Sequence, residues 1–275
     1  MKIALIVNTE KQGALHIARA AAQRLIDFGA ELYSSSEGIG ATVTEEESLF
    51  TLCDVVVTVG GDGTIIRYAK KAAEHNKAVL GINAGRLGFL AEIEKEDIDS
   101  LCALVSGSYT VSERFMLKAR VYENDRLIAE DTALNDAVLS AGSIANLLDF
   151  EVRVAGGVID YRSDGVIVST PTGSTAYSMS AGGPIVDPDM RCFVMTPICS
   201  HSLTARPMIV GEESKIELSL PKDSSDSAIF SLDGRFCCNV DKNVRIEITR
   251  SEITAKLISL KDSSFYNTLS KKFRR

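Results

Sequence analysis

The stretch Gly60-Gly61-Asp62-Gly63-Thr64 constrains this chain more than any other, because it follows Val55-Val56-Val57-Thr58-Val59 and leads into Ile65-Ile66-Arg67-Tyr68. A run of β-branched residues reads as a buried strand, and Thr64 to His75, which holds no Gly or Pro, reads as a helix. The glycine turn then lies at the carboxyl end of a strand, where ligands bind in open α/β sheets. Its backbone N–H groups can approach phosphate oxygens with no Cβ in the way, and Asp62 adds a carboxylate for chemistry. The turn lacks the Lys of G-x-x-x-x-G-K-[ST] and the spacing of G-x-G-x-x-G, so it is a third kind of loop. The competing reading is a tight strand-to-helix turn with Asp62 capping the helix.

The surrounding sequence alternates strand and helix signals. Ile3 to Val7 reads as a first strand, followed by a helix from about Gln12 to Phe28 with Ala14, Ile17, Ala18, Ala21, Leu25 and Phe28 on one face and Gly29 at its end. Ala78-Val79-Leu80-Gly81-Ile82 is another buried strand, ending in a second polar loop, Asn83-Ala84-Gly85-Arg86-Leu87-Gly88-Phe89. This alternation predicts a parallel, doubly wound sheet of Rossmann-like type. After a helix at Asp97 to Val105 the texture changes to strands separated by turn residues, with Asp233-Gly234 a strong two-residue hairpin signal. Runs at that spacing predict a largely antiparallel sandwich. The fold class is therefore α/β plus β: residues 1–96 form the Rossmann-like amino-terminal domain, and residues 97–260 a carboxy-terminal β-sandwich domain.

With 275 residues, 45% of them hydrophobic, the chain has enough apolar material for one large domain or two ordinary ones. The longest uncharged stretch, Gly165 to Asp187, is full of Gly, Ser, Thr and Pro and reads as no membrane helix. The amino terminus lacks the features of a signal peptide, and six cysteines without a C-x-x-C pair read as reduced thiols of a cytoplasmic protein. A net charge of −7 argues against a general nucleic-acid binder, although it leaves nucleotides open. The basic tail Lys271-Lys272-Phe273-Arg274-Arg275 reads as a solvated terminus or a short functional arm.

Asp164 to Gly183 is the second informative segment. A strand runs into a proline turn, and the helix that should follow has Thr172 or Ser174 as N-cap candidates. Its amides and hydroxyls suit ribose hydroxyls, a phosphate or a purine edge, and Tyr177 offers a stacking face; a capped-helix scaffold explains the same residues. Asn135-Asp136 interrupts the apolar context Ala133-Leu134 and Ala137-Val138-Leu139, which fits either a structural network or a sugar site. His201 and Arg206 flank Ser202-Leu203-Thr204-Ala205, and His201 reads as a hydrogen-bonded structural residue. The three histidines give no Ser-His-Asp order and no metal-ligand cluster.

Gly60 to Thr64, Gly81 to Leu90, Leu134-Asn135-Asp136, the run Asp164 to Pro184 and the close Phe265-Tyr266-Asn267-Thr268-Leu269 together resemble the NAD kinase family along most of the chain. GGDGT alone is shared with lipid kinases and phosphofructokinases; the Thr-Pro-Thr-Gly-Ser-Thr-Ala-Tyr segment is what makes the resemblance specific. The resemblance implies phosphorylation of NAD at the 2′-hydroxyl of its adenosine ribose, with ATP as donor and a divalent cation, Mg²⁺. It implies Asp62 as proton acceptor and a substrate-binding set of Gly60, Gly61, Gly63, Thr64, Asn135, Asp136, Arg162, Asp164, Thr172, Thr175, Ala176, Tyr177, Ser178, Met179, Ser180, Cys199 and Arg235. It further implies that segment 261–275 packs back on the first domain and that the protein is a homodimer or homotetramer. No protein metal site is assigned. Asp136 departs from the family's usual Glu, and Arg235 stands where an uncharged amide is common.

Phosphoryl transfer passes through a loose transition state, so positioning and charge neutralisation dominate and the missing Walker lysine is no objection. Backbone amides of Gly61 and Gly63 would hold the donor phosphates with Mg²⁺. A lipid or sphingoid-base kinase would need an apolar acceptor groove, for which the hydroxyl-rich Thr172 to Ser180 is a poor wall. A non-catalytic NAD(P)-binding sensor would not need Asp62.

Overall fold

In a computed structural model the chain forms two units, one of Met1–Glu113 with Ala255–Arg275 and a second of Arg114–Thr254. The structure describes residues 1–85, 88–142, 147–200, 202, 205–260 and 265–274. The expectations placed on Arg86, Leu87, His201, Leu203, Thr204, Arg275 and the stretch 261–264 lie outside the described residues.

The first unit runs β1 (Lys2–Val7), α1 (Ala14–Asp27), β2 (Glu31–Ser34), β3 (Thr42–Val43), α2 (Glu46–Leu52), β4 (Val55–Gly60), α3 (Asp62–Glu74), β5 (Ala78–Asn83), a 3₁₀ turn (Lys95–Ser100), α4 (Leu101–Ser106) and β6 (Thr110–Arg114). The second opens with β7 (Leu117–Glu123), β8 (Arg126–Ala133), β9 (Asp136–Ala141), β10 (Leu148–Val154), β11 (Gly157–Ser163) and β12 (Gly165–Ser169). A 3₁₀ turn (Thr172–Thr175), α5 (Tyr177–Ser180), β13 (Cys192–Ile198), β14 (Met208–Gly211), β15 (Ile216–Ser219), β16 (Ala228–Leu232), β17 (Arg235–Val240) and β18 (Val244–Arg250) follow. The chain then returns to the first unit as β19 (Ala255–Ser259) and α6 (Phe265–Phe273).

In the first unit the strands lie in the order β3-β2-β1-β4-β5-β19-β6. β2, β1, β4, β5 and β19 pair in parallel, so the carboxyl ends of β1, β4 and β5 fall side by side. Every residue of β4 is buried, as its unbroken β-branched run requires of a strand covered on both faces. α1 lays Ala14, Ile17, Ala18, Ala21 and Leu25 against the sheet, and Gly29 stops it at φ 88°. Phe28, read as part of that face, is instead an exposed capping residue.

The sequence reading places the domain boundary near Glu96, but α4 packs on α1 and buries Leu101 and Leu104 in the first unit's core, and β6 joins its sheet. The apolar run near Thr254 to Leu260 also leaves the sandwich. As β19 it pairs with β5, Lys256 opposite Ala78 and Leu257 opposite Val79.

The second unit contains two six-stranded sheets, β11-β10-β15-β18-β7-β8 and β14-β13-β12-β9-β16-β17. One face of each closes on a shared core that includes Leu117, Val121, Phe150, Val168, Phe193 and Phe230. β12 is buried throughout because its other face is covered too: Ile167 packs with Val138, Ile198 and Ala181. Asp233 and Gly234 turn β16 into β17 with φ of 47° and 72°, the paired positive values of the hairpin that the dipeptide signals. β13, unread in the sequence, contains Pro197. β14 pairs only with Cys192 to Met195, so Pro197 has a ladder on one side alone and its missing N–H breaks no second ladder.

Phe193 is fully buried and meets Phe115 edge to face with centroids 5.1 Å apart. Phe193→Ala should lower stability by about 3–5 kcal/mol, measured by urea unfolding at constant m-value.

Candidate active site

Two groups of residues, one in each unit, gather the polar side chains that the sequence singles out. In the first unit Gly60 ends β4, Gly61 is the N-cap of α3, and Asp62 is its first helical residue. The helix therefore begins two residues before the Thr64 that the sequence suggests. Asp62 does not cap it. Its half-buried carboxylate turns to the second glycine loop and accepts the N–H of Phe89 at 2.7 Å and of Leu90 at 3.2 Å. A Cβ at Gly88 would overlap Asp62 Oδ1, so the contact needs glycine there. Thr64 is buried, and its hydroxyl accepts a hydrogen bond from Asn8 Nδ2 at 3.1 Å.

The two loops are tied by backbone as well. Ala84 N–H donates to Gly60 O at 2.7 Å, and Asn83 bridges its own loop, accepting from Gly85 N–H at 3.0 Å while its Nδ2 donates to Glu94. α6 packs on the same loop: Phe265 lies 6.4 Å from Phe89 by ring centroids, and Lys272 Nζ sits 3.6 Å from the centre of the Phe89 ring. Burial holds the Lys272 ammonium below its usual range, and the Asp62 charge counters part of that. This end of the basic tail is thus docked.

In the second unit Asn135 precedes β9 and Asp136 opens it, both buried. The carboxylate of Asp233, from the hairpin turn, accepts three consecutive amides: Leu134 at 2.9 Å, Asn135 at 2.8 Å and Asp136 at 3.1 Å. Burial first, and the Asp233 charge second, push the Asp136 carboxyl up to about 7. Burial raises Asp233 also, but its three amides and the Arg235 guanidinium favour its charge, so Asp233 is the ionised member and Asp136 the one that keeps a proton.

The hydroxyl-rich segment packs on this turn. Gly173 lies against the Asn135 backbone, where any Cβ would collide with the Asn135 carbonyl. Neither Thr172 nor Ser174 caps a long helix: α5 has four residues, and the turn is held by Thr170, whose Oγ1 donates to Leu134 O at 2.6 Å and accepts from Gly173 N–H at 3.1 Å. Ser174 and Ser178 are structural, with Ser174 Oγ donating to Pro171 O and Ser178 Oγ sharing a hydrogen bond with Thr196. Thr175 Oγ1 donates to Thr172 O. Asn135 Oδ1 and Thr172 Oγ1 are buried with no partner among the described residues. Tyr177 is 46% exposed and Ser180 is exposed, with Ala176 and Met179 half-buried beside them.

Asp164 N–H donates to Ile198 O, placing exposed Asp164 beside Cys199, a free exposed thiol at φ 47°. Arg162 lines a cavity of about 200 Å³ with Asp160, Tyr161, Ser200 and Arg206. Arg235 faces Asp131 at 3.8 Å. Sequence reasoning does not single out Gly88 to Leu90 as the clasp of Asp62, Asp233 as the amide acceptor, or Lys272 as a neighbour of Asp62. The Asp233-Gly234 turn was a visible signal for the second; chain separation hides the others.

Residues 3–109 match the family model of the ATP-NAD kinase N-terminal domain, and residues 134–260 match that of the ATP-NAD kinase C-terminal domain. A protein of Legionella pneumophila named NAD kinase is 36% identical over 96% of this chain and 91% of its own length. One of Desulforamulus reducens with the same name is 35% identical over 99% of this chain and 96% of its own. The crystal structure of an NAD kinase from Archaeoglobus fulgidus in complex with ATP aligns with a TM-score of 0.77 and 30% identity, covering 100% of this chain and 99% of that one. Yeast NADH kinase complexed with NADH aligns with a TM-score of 0.88 at 22% identity, covering 100% of this chain and 87% of that one, and speaks for the fold.

The buried carboxyl pair predicts a pH dependence. An unfolded aspartate titrates near about 3.9, while folded Asp136 keeps its proton to about 7. Between those values the folded state binds the extra proton, so this group's contribution to stability is largest below pH ~4 and falls as pH rises to ~7. Asp136→Asn should flatten that window, seen as a smaller loss of Tm than wild type suffers from pH 5 to pH 7.5.

Proposed function

The chain belongs to the ATP-NAD kinase family, and from that premise we propose that it transfers the terminal phosphoryl group of ATP to the 2′-hydroxyl of the adenosine ribose of NAD, giving NADP and ADP. The observation that carries the reading is Asp62: a carboxylate in a glycine turn at a strand's carboxyl end, within a chain that matches both domains of the family. A sensor would not need that acid. A lipid kinase would need an apolar wall, whereas the second unit offers Asn135 Oδ1 and Thr172 Oγ1, buried and without a partner among the described residues, which suit a hydroxyl-bearing ligand.

In the reaction the 2′-oxygen forms a bond to the terminal phosphorus as the bond to the bridging oxygen breaks. ADP leaves with that electron pair and the hydroxyl proton goes to Asp62. Its two amide donors fix the carboxylate's direction, so it orients the hydroxyl before it accepts the proton. The amides of the N-cap Gly61 and of Gly63 in the first turn of α3 face the donor phosphates. A divalent cation, Mg²⁺, would be held by substrate phosphate oxygens with a carboxylate and would supply neutralisation of phosphate charge. Asp62 is the carboxylate available to it beside the turn. Asn135, Asp136, Thr172, Thr175, Ala176, Tyr177, Met179 and Ser180 hold NAD, with Ser178 bracing their turn through Thr196 and Arg162, Asp164 and Cys199 at the neighbouring strand end. Arg235 faces an acid of its own unit, which supports a pairing role over a phosphate contact. Six free cysteines support a cytoplasmic setting. No helix among the described residues is long and apolar enough to cross a membrane. Homo-oligomerisation belongs to the same reading and is read by light scattering.

Purified protein with NAD, ATP and Mg²⁺ should form NADP, detected with an NADP-specific dehydrogenase. Asp62→Asn should keep NAD binding and lose activity by about 10²–10⁴-fold; turnover within threefold of wild type would remove Asp62 from the chemistry. Tyr177→Ala should raise KM for NAD by about tenfold, as the loss of one stacking face at about 1.4 kcal/mol would, and spare KM for ATP. Steady-state kinetics with each substrate varied separates the two.

A further inference from the structure

We propose that Lys11 is the donor-phosphate lysine of this enzyme, supplying from the end of β1 the cation that a Walker motif would supply from within its own loop. The inference rests on the kinase reading above. Lys11 lies in the connection between β1 and α1, where its N–H donates to Asn8 O and its carbonyl accepts from Ala14 N–H, each at 3.1 Å. Its side chain runs to the glycine turns. A Cβ built at Gly61 would lie 2.8 Å from Lys11 Nζ, with no other heavy atom from beyond the adjoining residues within 4 Å. A Cβ at Gly85 would lie 2.7 Å from the same nitrogen and 2.6 Å from Cε. The ammonium therefore occupies the space that two glycines, one from each loop, leave open.

Order in the sheet explains the meeting. β1, β4 and β5 are consecutive and parallel, so the connections that follow them, carrying Lys11, Gly61 and Gly85, emerge at the same edge. The half-buried Lys11 has no ion pair or side-chain hydrogen bond among the described residues. Gly61 is also the N-cap of the thirteen-residue α3, whose amino-terminal end puts positive potential at the same place. A cation and a helix N-terminus side by side repel one another and together attract a polyanion. The terminal phosphates of a nucleoside triphosphate fit that need, because they carry the highest charge density of either substrate and take point charges such as lysine. The pyrophosphate of NAD shares the chemistry, and kinetics distinguishes the two.

The test uses the full chain with Lys11→Met and Lys11→Arg, each checked by circular dichroism, with Lys11→Gln in reserve should the methionine variant not fold. Initial rates are measured with ATP varied at saturating NAD, then the reverse. Lys11→Met should raise KM for ATP about tenfold or more, leave KM for NAD within twofold, and be largely restored by Lys11→Arg. Independently of activity, inorganic tripolyphosphate should raise the Tm of the wild type and not of Lys11→Met. An unchanged KM for ATP, an equal or larger rise in KM for NAD, or a tripolyphosphate shift that survives the methionine variant would each overturn the assignment. Absence of NADP formation by the wild type would overturn the kinase reading instead, leaving the tripolyphosphate measurement to decide Lys11.

Discussion

The bonds from Phe89 and Leu90 amides to the Asp62 carboxylate hold the first unit's functional end together. They join the glycine turn after β4 to the loop after β5, and α6 then packs on the same Phe89. A charged acceptor of two amides makes stronger hydrogen bonds than a neutral one, so the carboxylate fixes loops that their own glycines leave free. The residue proposed to accept the hydroxyl proton is thereby also the clasp of the loops around it. Gly88 is part of that clasp, since a side chain there would displace the carboxylate.

The second unit repeats the device with a different outcome. Asp233 takes three amides of the turn that presents Asn135 and Asp136, and leaves Asp136 as a buried carboxyl beside a charge. Burial and the Asp233 charge hold the Asp136 carboxyl up at about 7, so it keeps its proton through mildly acidic pH. Of the two carboxyls, the one with backbone donors holds the charge more readily, and a protonated Asp136 offers a donor as well as lone pairs that can accept. This matters for a position where the family commonly has the longer Glu.

The hydroxyl-rich segment divides by partner. The hydroxyls of Thr170 and Ser174 bond backbone, that of Ser178 bonds Thr196, and all three serve the fold, whereas Asn135 Oδ1 and Thr172 Oγ1 stay unpaired in the interior among the described residues and Tyr177 is exposed. Residue type alone cannot sort them, because serine and threonine hydroxyls serve a turn and a sugar equally well. Burial with or without a partner does the sorting.

The sequence by itself determined the α/β-then-β order, the buried β4, the Asp233-Gly234 hairpin, and the glycine turn that carries Asp62. Each is encoded over a few neighbouring residues, by side-chain period or by a dipeptide that tolerates positive φ. Only tertiary structure decided that β19 returns to β5, that Asp62 binds the Phe89 loop and not its own helix, and that Asp233 serves the Asn135 turn. The same holds for Lys11 beside Gly61 and Gly85. These pairings join residues far apart along the chain, brought together by strand order, and a hydrogen bond or a charge contact between distant segments leaves no periodicity in either one.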